Sequence, residues 1–162
     1  MISIDEQKER QVWSRVMGAA APCATDAEAR QEAGISEKTI AGMIQHEYCD
    51  AALYRSLAAQ GPRCARERLL RLAEDERCHA KRLGALYFLM TGKKYCPEPA
   101  RGACTACFNE ALRKQYQAEL EAETGYAALA ERAGEQACTF ETLAREEGRH
   151  AQTLYCILQQ TL

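Results

Sequence analysis

Long apolar runs, an excess of one charge and proline are all in short supply in this chain. No stretch approaches the roughly 20 consecutive apolar residues that a membrane-spanning helix requires. Lysine and arginine number 21 against 23 acidic residues, a formal net charge of -2, so there is no basic footprint for nucleic acid. The opening Met1-Ile2-Ser3-Ile4-Asp5-Glu6 turns charged at once and lacks the apolar stretch of a signal peptide, which leads us to expect a cytoplasmic protein. A hydrophobic fraction of 47% excludes a disordered chain. A length of 162 residues suits one globular domain, burying roughly 68–70% of the surface that the unfolded chain exposes.

Cysteine is the exception to this plain composition. There are nine, an odd number, so a complete set of intramolecular disulfides is impossible. Without an export signal the readings that remain are free thiols or metal.

The four prolines, Pro22, Pro62, Pro97 and Pro99, divide the chain into long pieces with nothing to break a helix. Residues 36–60 place Ile40, Met43, Ile44, Ala51, Leu53, Tyr54, Leu57 and Ala58 at helical spacing, with Ser36 as N-cap and Gly61-Pro62 as the stop. A second helix is predicted over 63–91, carrying Leu69, Leu70, Leu72, Leu83, Leu86 and Met90, with Gly92 as its C-terminal cap. A third is predicted over 107–133 and a fourth over 136–160, with Gly134 in the turn between them. No segment shows the alternation of a half-buried strand. The pattern predicts an all-α fold: two antiparallel hairpins forming a four-helix bundle over residues 36–162. The connection over 92–103 is long enough to cross the bundle from end to end. Residues 1–35 form a separate extension, in which Val12, Trp13, Val16 and Met17 make an apolar stripe on a short helix. That helix either covers one side of the bundle or serves as a dimerisation arm.

The two predicted hairpins repeat each other. Glu47, Tyr54, Leu57 and Ala58 recur 72 positions later as Glu119, Tyr126, Leu129 and Ala130. Leu72, Ala73, Glu76, His79, Ala80 and Leu83 recur 71 positions later as Leu143, Ala144, Glu147, His150, Ala151 and Leu154. Each hairpin thus offers one lone Glu and one Glu-x-x-His. Residues three apart on a helix share a face, so Glu76 with His79, and Glu147 with His150, can reach one small volume. Each of the four glutamates lies 13 or 14 residues from the turn of its own hairpin, which at ~1.5 Å per residue puts all four at one level of the bundle. Four carboxylates cannot share a buried core uncompensated. Two divalent metal ions would neutralise them, and carboxylate with imidazole favours iron or manganese over a thiolate-type zinc site.

Glu47, Glu76, His79, Glu119, Glu147 and His150 resemble, position by position, the ligands of the ferritin-like diiron proteins, and within them the rubrerythrin-like branch. The resemblance spans about residues 36–160. It implies a non-haem diiron oxidoreductase that reduces peroxide or dioxygen with electrons from a partner protein, in a homodimer. It also implies that Tyr54 and Tyr126 hydrogen-bond to ligands in the core. Two departures stand out. The extra glutamate that peroxidase-type members carry three residues after the third-helix ligand is Ala122 here, with Glu123 one position further on. The rubredoxin domain, which needs two Cys-x-x-Cys pairs, is absent, so the electron donor would be external, such as a rubredoxin-type protein. The alternative within the same superfamily is a ferroxidase or iron-storage protein, which calls for a large oligomer. A substrate hydroxylase would need an apolar pocket beside the metals.

The other metal-type residues read differently. His46, next to Glu47, is turned about 100° away and is expected at the surface or in packing. Cys49 and Cys78 point away from the site and are expected as small core or interface residues. Cys96, Cys104 and Cys107 cluster in the crossover, a weak zinc signal because structural zinc usually takes four ligands.

Overall fold

The computed structural model describes residues 35–99 and 107–162. Helix α1 (Glu37–Gln60) starts where Ser36, in an extended conformation, accepts a hydrogen bond from the Thr39 amide at 3.1 Å. It stops at Gly61. Helix α2 (Arg63–Thr91) follows Pro62 directly and ends on Gly92, whose φ of 67° is left-handed backbone that favours glycine. Helices α3 (Phe108–Ala130) and α4 (Ala137–Thr161) make the second hairpin, joined through a 3-10 turn at Gly134–Gln136. No strand occurs among the described residues.

The first two helices lie where periodicity and caps place them. The third ends three residues earlier than expected. The Arg132 amide donates to the Leu129 carbonyl at 3.2 Å and the Ala133 amide to that of Ala130 at 3.3 Å, so the chain tightens to a three-residue spacing and the α-helix ends at Ala130. The helix expected around Val12, Trp13, Val16 and Met17 lies outside the described residues, as does Cys104. Leu70 and Met90, read as apolar helix positions, are exposed. Leu70 stands one position off the buried Leu69, and Met90 falls in the last turn of α2.

The core has two apolar halves. One gathers Ile40 and Ile44 of α1, Leu83 and Leu86 of α2, Tyr126 and Leu129 of α3, and Phe140 and Leu143 of α4. The other gathers Leu57 of α1, Leu69 of α2, Leu112 of α3, and Leu154 and Ile157 of α4. The start of α1 therefore meets the end of α2, the end of α3 and the start of α4, as two antiparallel hairpins require. Helix α2 ends and α3 begins at opposite ends of the bundle. Gln45 on α1 fastens the first part of the connection between them. Its Oε1 accepts from the Glu98 amide at 2.8 Å and from the Tyr95 hydroxyl at 3.2 Å, and its Nε2 donates to the Glu98 carbonyl at 3.2 Å.

Gly61 lets the turn of the first hairpin close against the start of α3. A Cβ there would run into the Phe108 ring and lie 2.9 Å from the Leu57 carbonyl oxygen. Gly61→Ala is expected to lower stability by about 1–3 kcal/mol in denaturant unfolding. Gly42→Ala, where a Cβ meets nothing within 4 Å, is expected to be neutral or stabilising by up to ~1 kcal/mol. Equal stability of the two variants would contradict the close contact at the turn.

Candidate metal centre

Between the apolar halves lies a polar layer of Glu47, Glu76, His79, Gln115, Glu119, Glu147 and His150, each no more than 6% exposed. All four helices contribute. Each Glu-x-x-His spans three residues of one helix, so its two side chains leave from nearly the same face. The structure brings all six sequence-predicted residues together at one level.

Glu76 and Glu147 occupy the middle. Glu76 presents Oε2 to His79 Nδ1 at 3.1 Å and Oε1 to His150 Nδ1 at 2.9 Å. Glu147 does the same in mirror fashion, with Oε1 at 3.0 Å from His79 Nδ1 and Oε2 at 3.1 Å from His150 Nδ1. Glu47 sits on the His79 side, its Oε2 3.5 Å from Nδ1, and Glu119 on the His150 side, its Oε2 3.8 Å from that ring's Nδ1. The two imidazoles stack with centroids 5.2 Å apart.

A ring of polar partners surrounds this layer, and it crosses between the hairpins. The Tyr54 hydroxyl donates to Glu119 Oε1 and the Tyr126 hydroxyl to Glu47 Oε1. Gln115 adds a long bond from Nε2 to Glu119 Oε1 at 3.4 Å. The outward nitrogens of the rings face carboxylates too. His79 Nε2 lies 3.0 Å from Glu146 Oε2, and His150 Nε2 lies 3.6 Å from Asp75 Oδ2. A carboxylate on the outer nitrogen holds the proton there and turns the Nδ1 lone pair inward, the usual arrangement around metal-bound histidine. Asp75 and Glu146 were missed in the sequence, although the signal was present: they stand 71 positions apart, in register with the repeat, immediately before each Glu-x-x-His.

Protonation without metal follows from burial set against these contacts. Burial pushes the Glu47 and Glu119 carboxyls up to about 8, although His79 and His150 respectively work against it. Burial alone would also raise Glu76 and Glu147, but their close contacts with the two rings outweigh it and hold both below the ordinary carboxylate value. For the rings, burial opposes charge, yet the surrounding carboxylates win: His150 is pushed up to about 12 and His79 is raised as well. The directions set two charged rings against the Glu76 and Glu147 carboxylates, with Glu47 and Glu119 the pair that burial drives toward the neutral form.

The donor set fits a metal. Glu76, His79, Glu147 and His150 each offer a ligand atom within 4.8 Å of the others, so the group could hold an ion. Glu76 Oε1 and His79 Nδ1 are buried with no aligned hydrogen-bond partner among the described residues, despite close neighbours. Cysteine takes no part in the group. Cys96 and Cys107 are exposed free thiols, and Cys49, expected in the core or an interface, is exposed because it lies on the outer side of α1. Cys78 is half-buried, against the cavity over the histidines. His46 is exposed and pairs with Asp50 at 3.1 Å. The Glu123 carboxylate lies against the α4 backbone at Gly148 and joins none of the ion pairs that link the six residues. Comparison with protein-family models, with curated proteins and with solved structures finds no match for this chain.

Metal ligands must be deprotonated, so loading with a divalent cation is expected to release protons, close to four per chain at pH 7 when both rings and both neutral carboxyls are engaged. Apparent affinity then rises with pH, most steeply below about pH 8, and calorimetry in buffers of different ionisation enthalpy measures the release. Proton-neutral binding would contradict the protonation pattern. Glu146→Gln combined with Asp75→Asn is expected to weaken metal affinity by about 10–100-fold with the fold intact by circular dichroism.

Proposed function

We propose that this chain is a ferritin-like, rubrerythrin-like non-haem diiron oxidoreductase, reducing peroxide or dioxygen with electrons from a partner protein. The observation that carries the reading is the two-sided presentation by Glu76 and Glu147, each with one oxygen toward His79 and one toward His150. In this reading Glu47, Glu76, His79, Glu119, Glu147 and His150 would hold a pair of ions, with Glu76 and Glu147 shared between the two rings. Carboxylate and imidazole donors suit iron, with manganese the next candidate. A pair of redox-active ions supplies the two electrons that an oxidant takes up, which none of the surrounding side chains can do. The chain's own residues then have simple tasks. Tyr54 and Tyr126 orient the end carboxylates and can return a proton to them. Asp75 and Glu146 hold the rings in one tautomer. The two apolar halves of the core enclose the layer from above and below.

A cavity of about 390 Å³ between α1 and α3 supports access by a small uncharged oxidant. Met43, Ala118, Ala122 and Leu129 line it, and Glu47 and Tyr126 belong to its wall. The same apolar space favours one second reading, hydroxylation of a small organic substrate beside the metals. Oxygen-isotope incorporation into an added apolar substrate distinguishes the two.

Anaerobic loading with ferrous iron, followed by stopped-flow optical spectra after stoichiometric peroxide and, separately, oxygen, tests the proposal. Oxidation faster with peroxide than with oxygen is expected, and lost in Glu76→Ala combined with Glu147→Ala. Faster oxidation by oxygen would transfer the assignment to ferroxidase or oxygenase chemistry.

A further inference from the structure

We infer that the cavity over the two histidines is a binding site for a small oxoanion, of the phosphate-ester or organic-carboxylate class. The cavity, about 550 Å³, lies between α2 and α4, on the face where the outer ring nitrogens point. That volume falls within the range of small-molecule sites. Four guanidinium groups line it, from Arg68, Arg71, Arg82 and Arg149, against only two carboxylates, Asp75 and Glu146. Leaving aside the two rings, which the buried carboxylates face, the lining carries a formal excess of two positive charges.

The pairings leave that excess available. Arg82 and Arg149 both turn toward Glu146, the second with Nη2 at 3.4 Å from Oε1, so two guanidiniums share one carboxylate. Arg68 donates to Gln160, a neutral amide. Arg71 pairs with Glu67 on its own helix, where both side chains are more than 70% exposed and the bond is worth little. Like charges gathered round a concavity raise the local concentration of anions, and guanidinium forks match the paired oxygens of phosphate and carboxylate.

The repeat sharpens the argument. The floor obeys it: His79 matches His150 and Asp75 matches Glu146. The walls do not, since Arg82 stands where the other hairpin has Thr153, and Arg149 where the other has Cys78. Glu146 bonds the outer nitrogen of His79 and is itself held by Arg82 and Arg149, whereas Arg68 and Arg71 make no contact with the buried layer. The proposal rests on those arginines and stands apart from whether metal ions load below them.

Calorimetric titration of the full metal-free chain at low ionic strength, with inorganic phosphate, phenyl phosphate and succinate as separate probes, tests it. Saturable binding of at least one probe is expected, with Kd of about 1 mM or tighter, the value that corresponds to about 4 kcal/mol. The probe that binds best distinguishes phosphate from carboxylate. Arg71→Gln with Arg149→Gln is expected to weaken binding by about tenfold or more at unchanged Tm, whereas Arg63→Gln with Arg66→Gln, outside the cavity, leaves it unchanged. Absence of saturable binding by all three probes to ~10 mM, or equal Kd in both double variants, overturns the proposal. So does binding confined to an acidic protein, which would make the face a docking surface. Repeating the titration on metal-loaded chain separates failure of this site from failure of the metal assignment.

Discussion

The structure depends on keeping four carboxylates neutral in charge at one buried level. An uncompensated ion in such a place costs several kcal/mol, enough to remove much of a small domain's stability. Two solutions are available to the same side chains. Without metal, Glu76 and Glu147 are balanced by protonated His79 and His150, while burial keeps Glu47 and Glu119 protonated. If two divalent ions loaded, four protons would leave and four positive charges would arrive. The layer would be neutral in both states.

The hydrogen bonds around that layer also join the two hairpins. Tyr54 and Tyr126 each reach a glutamate of the opposite hairpin, and Glu146 and Asp75 each face the histidine of the opposite hairpin. The apolar halves above and below give non-directional adhesion. The crossed bonds fix the register, since sliding one hairpin by a single turn would separate all four pairs. On either side of this nearly symmetrical centre the approaches differ in chemistry. The α1 and α3 face is lined mostly by small and apolar residues, with His46, Glu47 and Glu121 among them, the α2 and α4 face largely by arginine. An uncharged oxidant and an anion would come to the same centre from opposite sides.

Much of this was legible in the sequence because the signals are local. Ser36, Gly61-Pro62 and Gly92 mark helix ends through backbone chemistry that does not depend on the rest of the fold, and those ends lie where expected. The six converging residues were visible because the repeat preserves both spacing and depth. What was not legible depends on partners across the bundle. The early end of α3 comes from three-residue hydrogen bonds at Arg132 and Ala133 that periodicity cannot register. The exposure of Cys49, Leu70 and Met90 depends on which helix lies alongside, and sequence spacing carries no such information. The arginine-lined cavity brings Arg68 of α2 and Arg149 of α4 to one mouth, a meeting that only the folded chain discloses.

Extended X-ray absorption on iron-loaded protein, together with metal counting, tests the central claim most directly. Two ions per chain about 3.5–4 Å apart, each with one imidazole nitrogen in its shell, are predicted from the way Glu76 and Glu147 divide their oxygens between the two rings. A single ion centred among Glu76, His79, Glu147 and His150, with no metal neighbour, would contradict it.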